Sequence, residues 1–493
     1  MIPASSPKSA DDHLMTLIPT ETSFAIPRRA WIGLMLCLLA GCRVPPAKPA
    51  ACDRNAPRKL LLARQIAEDT AVVGAVRPLR TGYAVVTEPV AYLQAGAVGL
   101  LYKRLALPFF PEPPPIDPNR PTLDPEVLEA KLRRAARNEL APADIRLMID
   151  GAEALAALNA VIDSAACRID VLMYEWDSDP LGEAVAARLA ARACTGVPVR
   201  VLVDGGGNLI DGLPKKATAS EVNRVVCWLS RQPGVELVRT RNSVVRFDHR
   251  KLVVADGRLA WSGGRNFTKP SFFEYHDVSY TLTGPLASEM ADLFEDFWKR
   301  QGGTPADGPL PPPPPLEAAN ASARLLRTRP IRRQFAAVLY RAVDQARHHV
   351  YVQNAYFSDP RLLTKLALAR QRGADVRVVL TIQGDSEALN RSDKVTANRM
   401  LRAGIRVYLY PGMTHVKATT VDGLWAYFGT GNFDALSLRH NRELGLAVAA
   451  GPVVTALEEQ LFLPDFRPEW ELTEPLPLSF ADYLAEAGAS LFF

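Results

Sequence analysis

His249-x-Lys251-x4-Asp256 and His415-x-Lys417-x4-Asp422 are the same string written twice, 166 residues apart. The residues that follow repeat at the same offset. Gly263-Gly264-Arg265-Asn266 answers Gly429-Thr430-Gly431-Asn432, and Asp277 answers Glu443. In a chain with only 7 His, such a doubling is built rather than accidental. The residue types suit phosphoryl transfer, which asks for a nucleophile, an acid for the leaving alcohol and positive charge on the phosphate oxygens. Imidazole titrates near neutrality and can fill the first two roles, and lysine the third. On a strand, side chains two apart share a face, so His249 with Lys251 and His415 with Lys417 can converge on one phosphate across a pseudo-two-fold axis. Asn266 and Asn432 follow glycine-rich turns and offer amide donors to the non-bridging oxygens. Asp277 and Glu443 are placed to accept a hydrogen bond from one ring nitrogen of a His, aiming the other at phosphorus. Asp256 and Asp422 sit in Asp-Gly turns and are expected to support loops rather than react. A phosphodiester carries one negative charge, which two lysines compensate, so no metal or cofactor is expected.

The elements that must hold these residues also come in two copies. In the first half, strands are expected at Arg168–Trp176, Val197–Val203 and Val235–Val238, with helices at Leu181–Ala193 and Glu221–Ser230. A hairpin over Leu252–Ala255 and Leu259–Ser262 turns at Asp256-Gly257, and helix Pro285–Lys299 closes the unit. The second half repeats the order: strand His349–Asn354, helix Arg361–Arg372, strand Val376–Thr381, helix Ser386–Ala403 and strand Ile405–Tyr410. Even the turns match, as Ser178-Asp179-Pro180 and Ser358-Asp359-Pro360. The five prolines Pro311–Pro315 mark the seam, because proline continues neither a helix nor a central strand. The fold class is therefore α/β, a tandem duplication of two α/β/α sandwich domains with mixed sheets. The expected domains are 123–302 and 323–493, joined by a linker over 303–322.

The N-terminus reads as an export signal. Arg28-Arg29 precede an apolar run from Trp31 to Ala40, too short to span a bilayer. The run ends Leu39-Ala40-Gly41-Cys42, similar to a bacterial lipobox, which implies a lipidated Cys42 after removal of residues 1–42. Arg43 rather than Asp follows, which favours outer-membrane placement on the periplasmic side. The polar lead is long, and Met15 is an alternative start. Residues 43–122 form a tether and extension. Within it Ala95–Leu101, followed by Lys103-Arg104, is either a membrane-surface segment or a packed helix, and Pro111–Pro121 is a stiff linker. The charge balance, 58 Lys and Arg against 53 Asp and Glu, is too mild to argue for nucleic acid and suits an anionic lipid surface equally well. Cys52, Cys167, Cys194 and Cys227 lack metal-ligand spacing. An oxidising compartment permits a disulfide, with Cys167–Cys194 as a candidate pair, but buried free thiols are the commoner outcome.

The two strings with their glycine-asparagine sequels resemble the paired HKD motifs of the phospholipase D superfamily. Asp248-His249-Arg250-Lys251-Leu252 with Gly-Gly-Arg-Asn is most similar to its bacterial cardiolipin-synthase-like branch. The resemblance covers roughly residues 140–465. It implies a ping-pong phosphatidyl transfer, with His249 as nucleophile and His415 as acid and base, acting on a phospholipid such as phosphatidylglycerol at a membrane surface. It further implies a monomer holding both half-sites and no nucleic-acid partner. Hydrolysis to phosphatidic acid, nuclease action and a non-catalytic lipid-binding lipoprotein are the competing readings. The acidic follower is Asp277 in one half and Glu443 in the other, and the second loop reads Gly-Met-Thr-His; both bear on the acceptor. Among the remaining residues, Gln353 and Tyr356 end a strand where α/β pockets form and are expected to touch substrate, with Tyr174 and Glu175 in the corresponding place. His440 is expected at the rim, His276 on a strand surface, His348-His349 without metal role, and Phe492-Phe493 in a packed tail.

Overall fold

The computed structural model describes residues 44–48, 52, 57–79, 81–87, 111–117, 120–244, 246–305, 310, 316, 318–320, 321–329 and 332–492, with isolated positions between 90 and 101. The signal, Cys42 and most of the Ala95–Leu101 segment lie outside the described residues. Among the described residues no helix is long and apolar enough to cross a membrane.

Each half supplies seven main strands. The first has β1 (Ala141–Met148), β2 (Ile169–Met173), β3 (Val199–Val203), β4 (Val235–Arg239), β5 (Leu252–Ala255), β6 (Leu259–Gly263) and β7 (Ser279–Thr283). The second has β8 (Ala321–Arg329), the two-residue β9 (Arg332–Arg333), β10 (His349–Asn354), β11 (Asp375–Leu380), β12 (Arg406–Leu409), β13 (Lys417–Val421), β14 (Trp425–Gly429) and β15 (Glu443–Ala449). They form one sheet in the order β4-β3-β2-β5-β6-β7-β1-β8-β15-β14-β13-β10-β11-β12, with β9 paired to β8. The order reads the same from both ends once halves are exchanged. In each half the outer three strands are parallel and the rest antiparallel. The halves join where β1 meets β8 antiparallel, Ala141 opposite Ala323 and Ala143 opposite Ala321. Neither β1 nor β8 is among the strands the sequence predicts. β1 alternates, with Ala143 and Ile145 buried and Asp144 and Arg146 exposed, whereas β8 mixes Ala, Leu, Arg and Thr and is buried along most of its length regardless of polarity. β8 also begins inside the stretch expected as linker.

One apolar core crosses the seam, with Tyr280 and Leu282 of the first half packed with Val416, Phe428 and Leu446 of the second. Tyr280 and Phe428 meet edge to face at 5.2 Å, a contact worth about 0.5–1.5 kcal/mol beyond its buried area. Helices Pro285–Arg300 and Pro452–Leu457 cover this face. The opposite face packs on helices Gly151–Ser164 and Pro180–Cys194 in the first half, and on Gln334–Gln345, Pro360–Gln371 and Glu387–Arg402 in the second. The repeated Ser-Asp-Pro turns start equivalent helices. The Asp179 carboxylate accepts from Gly182 N–H at 2.8 Å and Asp359 from Leu362 N–H at 2.7 Å, with proline in the first turn, where no N–H is missed. The expected helix Glu221–Ser230 is instead two short helices, Ala219–Val222 and Arg224–Leu229, meeting at Asn223.

The N-terminal extension is docked on the first half. Helix Arg58–Val76 buries Asp69, whose carboxylate takes Arg239 at 2.7 and 2.9 Å, Arg241 at 3.0 Å and the Asn242 N–H at 3.0 Å. Arg58 donates to the carbonyls of Asn208 and Leu209 at 2.9 and 3.0 Å. A disulfide joins Cys52 to Cys227. The candidate Cys167–Cys194 pair is not formed: both of those thiols are free, but exposed rather than buried. The partner of Cys227 comes from a segment whose sequence pattern gives no sign that it packs there. The Pro111–Pro121 stretch carries no regular structure over its described part. It runs beside helix Pro360–Gln371, with Arg370 and Gln371 donating to the carbonyls of Pro114 and Pro111 at 2.7 Å each.

Candidate active site

Each His-x-Lys segment is held by the other half of the chain. His249 N–H donates to Arg442 C=O at 3.0 Å and Arg442 N–H to Phe247 C=O at 3.0 Å. In the symmetric exchange, His415 N–H donates to His276 C=O at 2.7 Å and His276 N–H to Met413 C=O at 3.0 Å. Arg442 and His276 are the residues immediately before Glu443 and Asp277. The exchange therefore delivers each acid to the opposite histidine. Asp277 Oδ2 lies 2.7 Å from His415 Nδ1, and Glu443 Oε2 lies 3.2 Å from His249 Nδ1. Glu443 also accepts from the Thr430 hydroxyl. With an ionised acid at Nδ1, that nitrogen carries the proton and Nε2 keeps its lone pair.

Burial sets the electrostatics. His249 and His415 are both pushed below the usual imidazole value by burial and by Lys251 and Lys417 respectively, against the pull of their acids, and His415 falls to about 4. Burial lowers Lys251 to about 8 and Lys417 to about 7. Burial acts to raise the Asp277 carboxyl, but His415 and Lys417 outweigh it and hold it below its ordinary value. Lys251 Nζ donates to the His249 carbonyl at 2.8 Å, and Lys417 donates to the His415 carbonyl in the same way. Each ammonium has three N–H groups, so donors remain for an incoming phosphate. Tyr174 sets its ring edge on His249 at 4.7 Å and lies 5.0 Å from the Lys251 ammonium.

A cavity of about 1030 Å³ opens on both histidines and on Asn266 and Asn432. The amide of Asn266 donates to Glu175 at 2.8 Å, and the Oδ1 atoms of both asparagines lack a partner among the described residues. Tyr174, Glu175, Tyr356 and His440 line the same cavity. Gln353 does not. It is fully buried and donates to the Thr414 hydroxyl and to Asp465, each at 2.9 Å, so it supports the approach to the second motif rather than touching substrate. His276 is half-buried rather than on an open strand surface. Its Nε2 is 2.9 Å from the same Asp465, and its ring stacks on Tyr410 at 4.9 Å. His349 Nε2 pairs with Glu458 at 2.9 Å. Among the described residues no group of three or more His, Cys, Asp or Glu could hold a metal ion.

Asp256 and Asp422 stand away from the cavity, at positive φ of 54° and 55° in their hairpin turns. Asp256 accepts the N–H groups of Ala166, Cys167 and Arg168 at 2.7–2.9 Å. Asp422 does the same for Arg347, His348 and His349 at 2.8–2.9 Å. Each clamps the loop entering β2 or β10, the strand beside its own motif strand.

Sequence reasoning did not find Asp211 and Asp385, which line the cavity with Glu175. Tyr174 Oη donates to Asp211 at 2.8 Å, and Tyr356 Oη donates to Asp385. Burial, reinforced by Asp211 and Asp177, raises the Glu175 carboxyl well above its usual value. These acids come from loops with no motif, and only folding collects them. Leu62 and Ile66 of the docked N-terminal helix complete the apolar wall.

A duplicated α/β sheet with two crossed histidine–acid pairs, both histidines on one cavity and a buried lysine two residues after each, defines the phospholipase D class of fold. Within it, the chain belongs to the family described as "Cardiolipin synthase, PLD-like domain", whose model matches residues 158–298 and 339–462. Cardiolipin synthase A of Escherichia fergusonii is 28% identical over 331 residues, covering 62% of this chain and 65% of the relative. The enzyme of the same name from Citrobacter koseri matches to the same extent. The match thus spans just under two thirds of these relatives' length. The crystal structure of phosphatidylserine synthase from Haemophilus influenzae superposes with a TM-score of 0.55 at 18% identity, over 72% of this chain and 96% of that one, a likeness of fold.

Proposed function

We propose that this chain is a phosphatidyltransferase of cardiolipin-synthase type, moving a phosphatidyl group through a phosphohistidine to an alcohol. The observation that carries the reading is the pair of crossed His–acid contacts, His249 with Glu443 and His415 with Asp277, facing one cavity with Lys251 and Lys417 beside them. The names of the relatives support the substrate class.

In the first step His249 Nε2 attacks phosphorus, a P–N bond forms and the P–O bond to the leaving alcohol breaks. His415 Nε2–H gives that oxygen its proton. In the second step His415, now neutral, takes the proton of an acceptor hydroxyl, whose oxygen attacks phosphorus and releases His249. His415 must hold a proton to begin, although burial and Lys417 lower it to about 4 in the free site. A bound phosphodiester anion opposes that shift, as does the Asp277 carboxylate. Lys251, Lys417 and the two asparagines meet the charge that develops on the non-bridging oxygens.

The carboxyl groups of Glu175, Asp211 and Asp385 favour a polyol acceptor, such as the glycerol headgroup of a second phosphatidylglycerol, over water alone, since they offer acceptors for several hydroxyls. Export and lipid anchoring at Cys42, with an outer-membrane preference, complete the proposal and rest on the signal-like sequence. Incubating the purified chain with phosphatidylglycerol tests the reading. Cardiolipin plus glycerol is expected; phosphatidic acid alone would make the protein a hydrolase, and no turnover would remove the enzyme reading.

A further inference from the structure

A second, smaller cavity of about 140 Å³ adjoins the first, sharing Val244 and Arg246 as lining. Eight of its lining residues are arginines and only two, Asp296 and Glu443, are acids. Several of the guanidiniums have carboxylate partners: Arg241 with Asp69, Arg250 with Asp248, Arg300 with Asp296 and Arg327 with Glu289. Among the described residues of this lining, and with these acids included, cations outnumber anions. The arginines also act on one another. Burial together with Arg329 and Arg250 pushes Arg327 down to about 10, and burial together with Arg332 lowers Arg329. Arg250 and Arg442 lie over the buried Phe297 ring at 4.6 and 4.8 Å, which fixes their planes before any ligand arrives. Two buried polar atoms on this lining, Thr328 Oγ1 and Glu443 Oε1, have no partner among the described residues.

Gathering like charges in a buried cleft is costly unless an anion neutralises them. The volume corresponds to a few waters or one phosphate-sized group, at about 30 Å³ per water, and is too small for an acyl chain. From these observations we propose that the arginine cavity is a second phosphate-binding site, distinct from the site between the two histidines, and takes a phosphate monoester or diester anion. Arginine's planar fork suits that ligand, and the Thr328 hydroxyl adds a donor. The Glu443 carboxylate faces the same space, so occupancy bears electrostatically on the acid that orients His249. The site depends on parts of the chain beyond the matched family segments: Arg77 from the docked extension, and Arg327 and Arg329 from β8. The inference does not depend on whether the reaction is transfer or hydrolysis.

Equilibrium dialysis of the full chain against labelled inorganic phosphate tests it. Arg329→Gln is expected to remove one bound phosphate per chain, or to weaken it at least tenfold, while Arg329→Lys retains it. Arg77→Gln, on a different segment, is expected to weaken the same phosphate. Thermal melts check that the variants are folded. Equal phosphate binding by wild type, Arg329→Gln and Arg77→Gln overturns the proposal. Competition then identifies the source. Displacement of the Arg329-dependent phosphate by short-chain phosphatidylglycerol means a lipid headgroup, and displacement only by glycerol phosphate means a free anion. Product analysis reads the transfer reaction separately, so failure of one reading leaves the other standing.

Discussion

Asp277 Oδ2 lies 2.7 Å from Nδ1 of His415, a residue of the other half of the chain, and Glu443 of the second half mirrors it on His249 of the first. Neither half supplies both members of a motif His–acid pair. Asp277→Asn keeps the shape but replaces the ionised acceptor, so His415 is no longer held in one tautomer or stabilised when protonated. By analogy with other His–Asp pairs, kcat is expected to fall about 10³–10⁴-fold. KM should change little. Steady-state kinetics on phosphatidylglycerol check this, and a loss below tenfold would remove Asp277 from the mechanism.

The buried lysines set the alkaline side of the pH profile. Lys417 at about 7 and Lys251 at about 8 lose their charge as pH rises, and with it the phosphate's counter-charge. Values of kcat/KM are therefore expected to fall above about pH 7 in two overlapping steps belonging to the pair. Bound phosphate raises both lysines, so the fall in kcat should lie at higher pH. Stability runs the other way. A lysine whose folded value is lowered binds fewer protons folded than unfolded in this window, so stability rises with pH until the unfolded value is reached. Melting curves at each pH thus separate deprotonation from unfolding.

Asp256→Ala strips three loop N–H groups of their acceptor while leaving the cavity untouched. A stability loss of about 2–4 kcal/mol is expected, with kcat per folded molecule retained. Chemical denaturation and active-site-normalised rates check it. A catalytically dead but stable variant would reverse the assignment.

The docked extension is expected to matter for both stability and lipid use. Asp69→Ala leaves Arg239 and Arg241 without their shared carboxylate in a buried setting, costing about 3–5 kcal/mol. Because Leu62 and Ile66 of the same helix wall the cavity, KM for phosphatidylglycerol should rise more than kcat falls. Removing the Cys52–Cys227 bond, which closes a loop across 175 residues, should likewise lower stability by about 2–5 kcal/mol. Unchanged melting and KM in both variants would show the extension to be a passive tether.

Much of the architecture is written locally. The doubled His-x-Lys strings, the Asp-Gly turns and the Ser-Asp-Pro helix starts depend on neighbours in sequence, so spacing alone predicts the tandem α/β halves and brings His249, Lys251, His415, Lys417, Asn266 and Asn432 forward as candidates. Gln353 and His276 depart from their sequence-based places because the Asp465 they pack beside lies over a hundred residues away. The same distance hid the Cys52 partner, the seam strands β1 and β8, and the cavity acids Asp211 and Asp385.

Two half-sites, and the side chains each contributes, follow from alternation and turn chemistry, which act over a few residues. That each acid serves the opposite histidine is settled on folding. That choice rests on backbone pairing of Phe247 and His249 with Arg442, and of Met413 and His415 with His276. Such pairing forms when a shared core draws the halves together, and no local pattern encodes it.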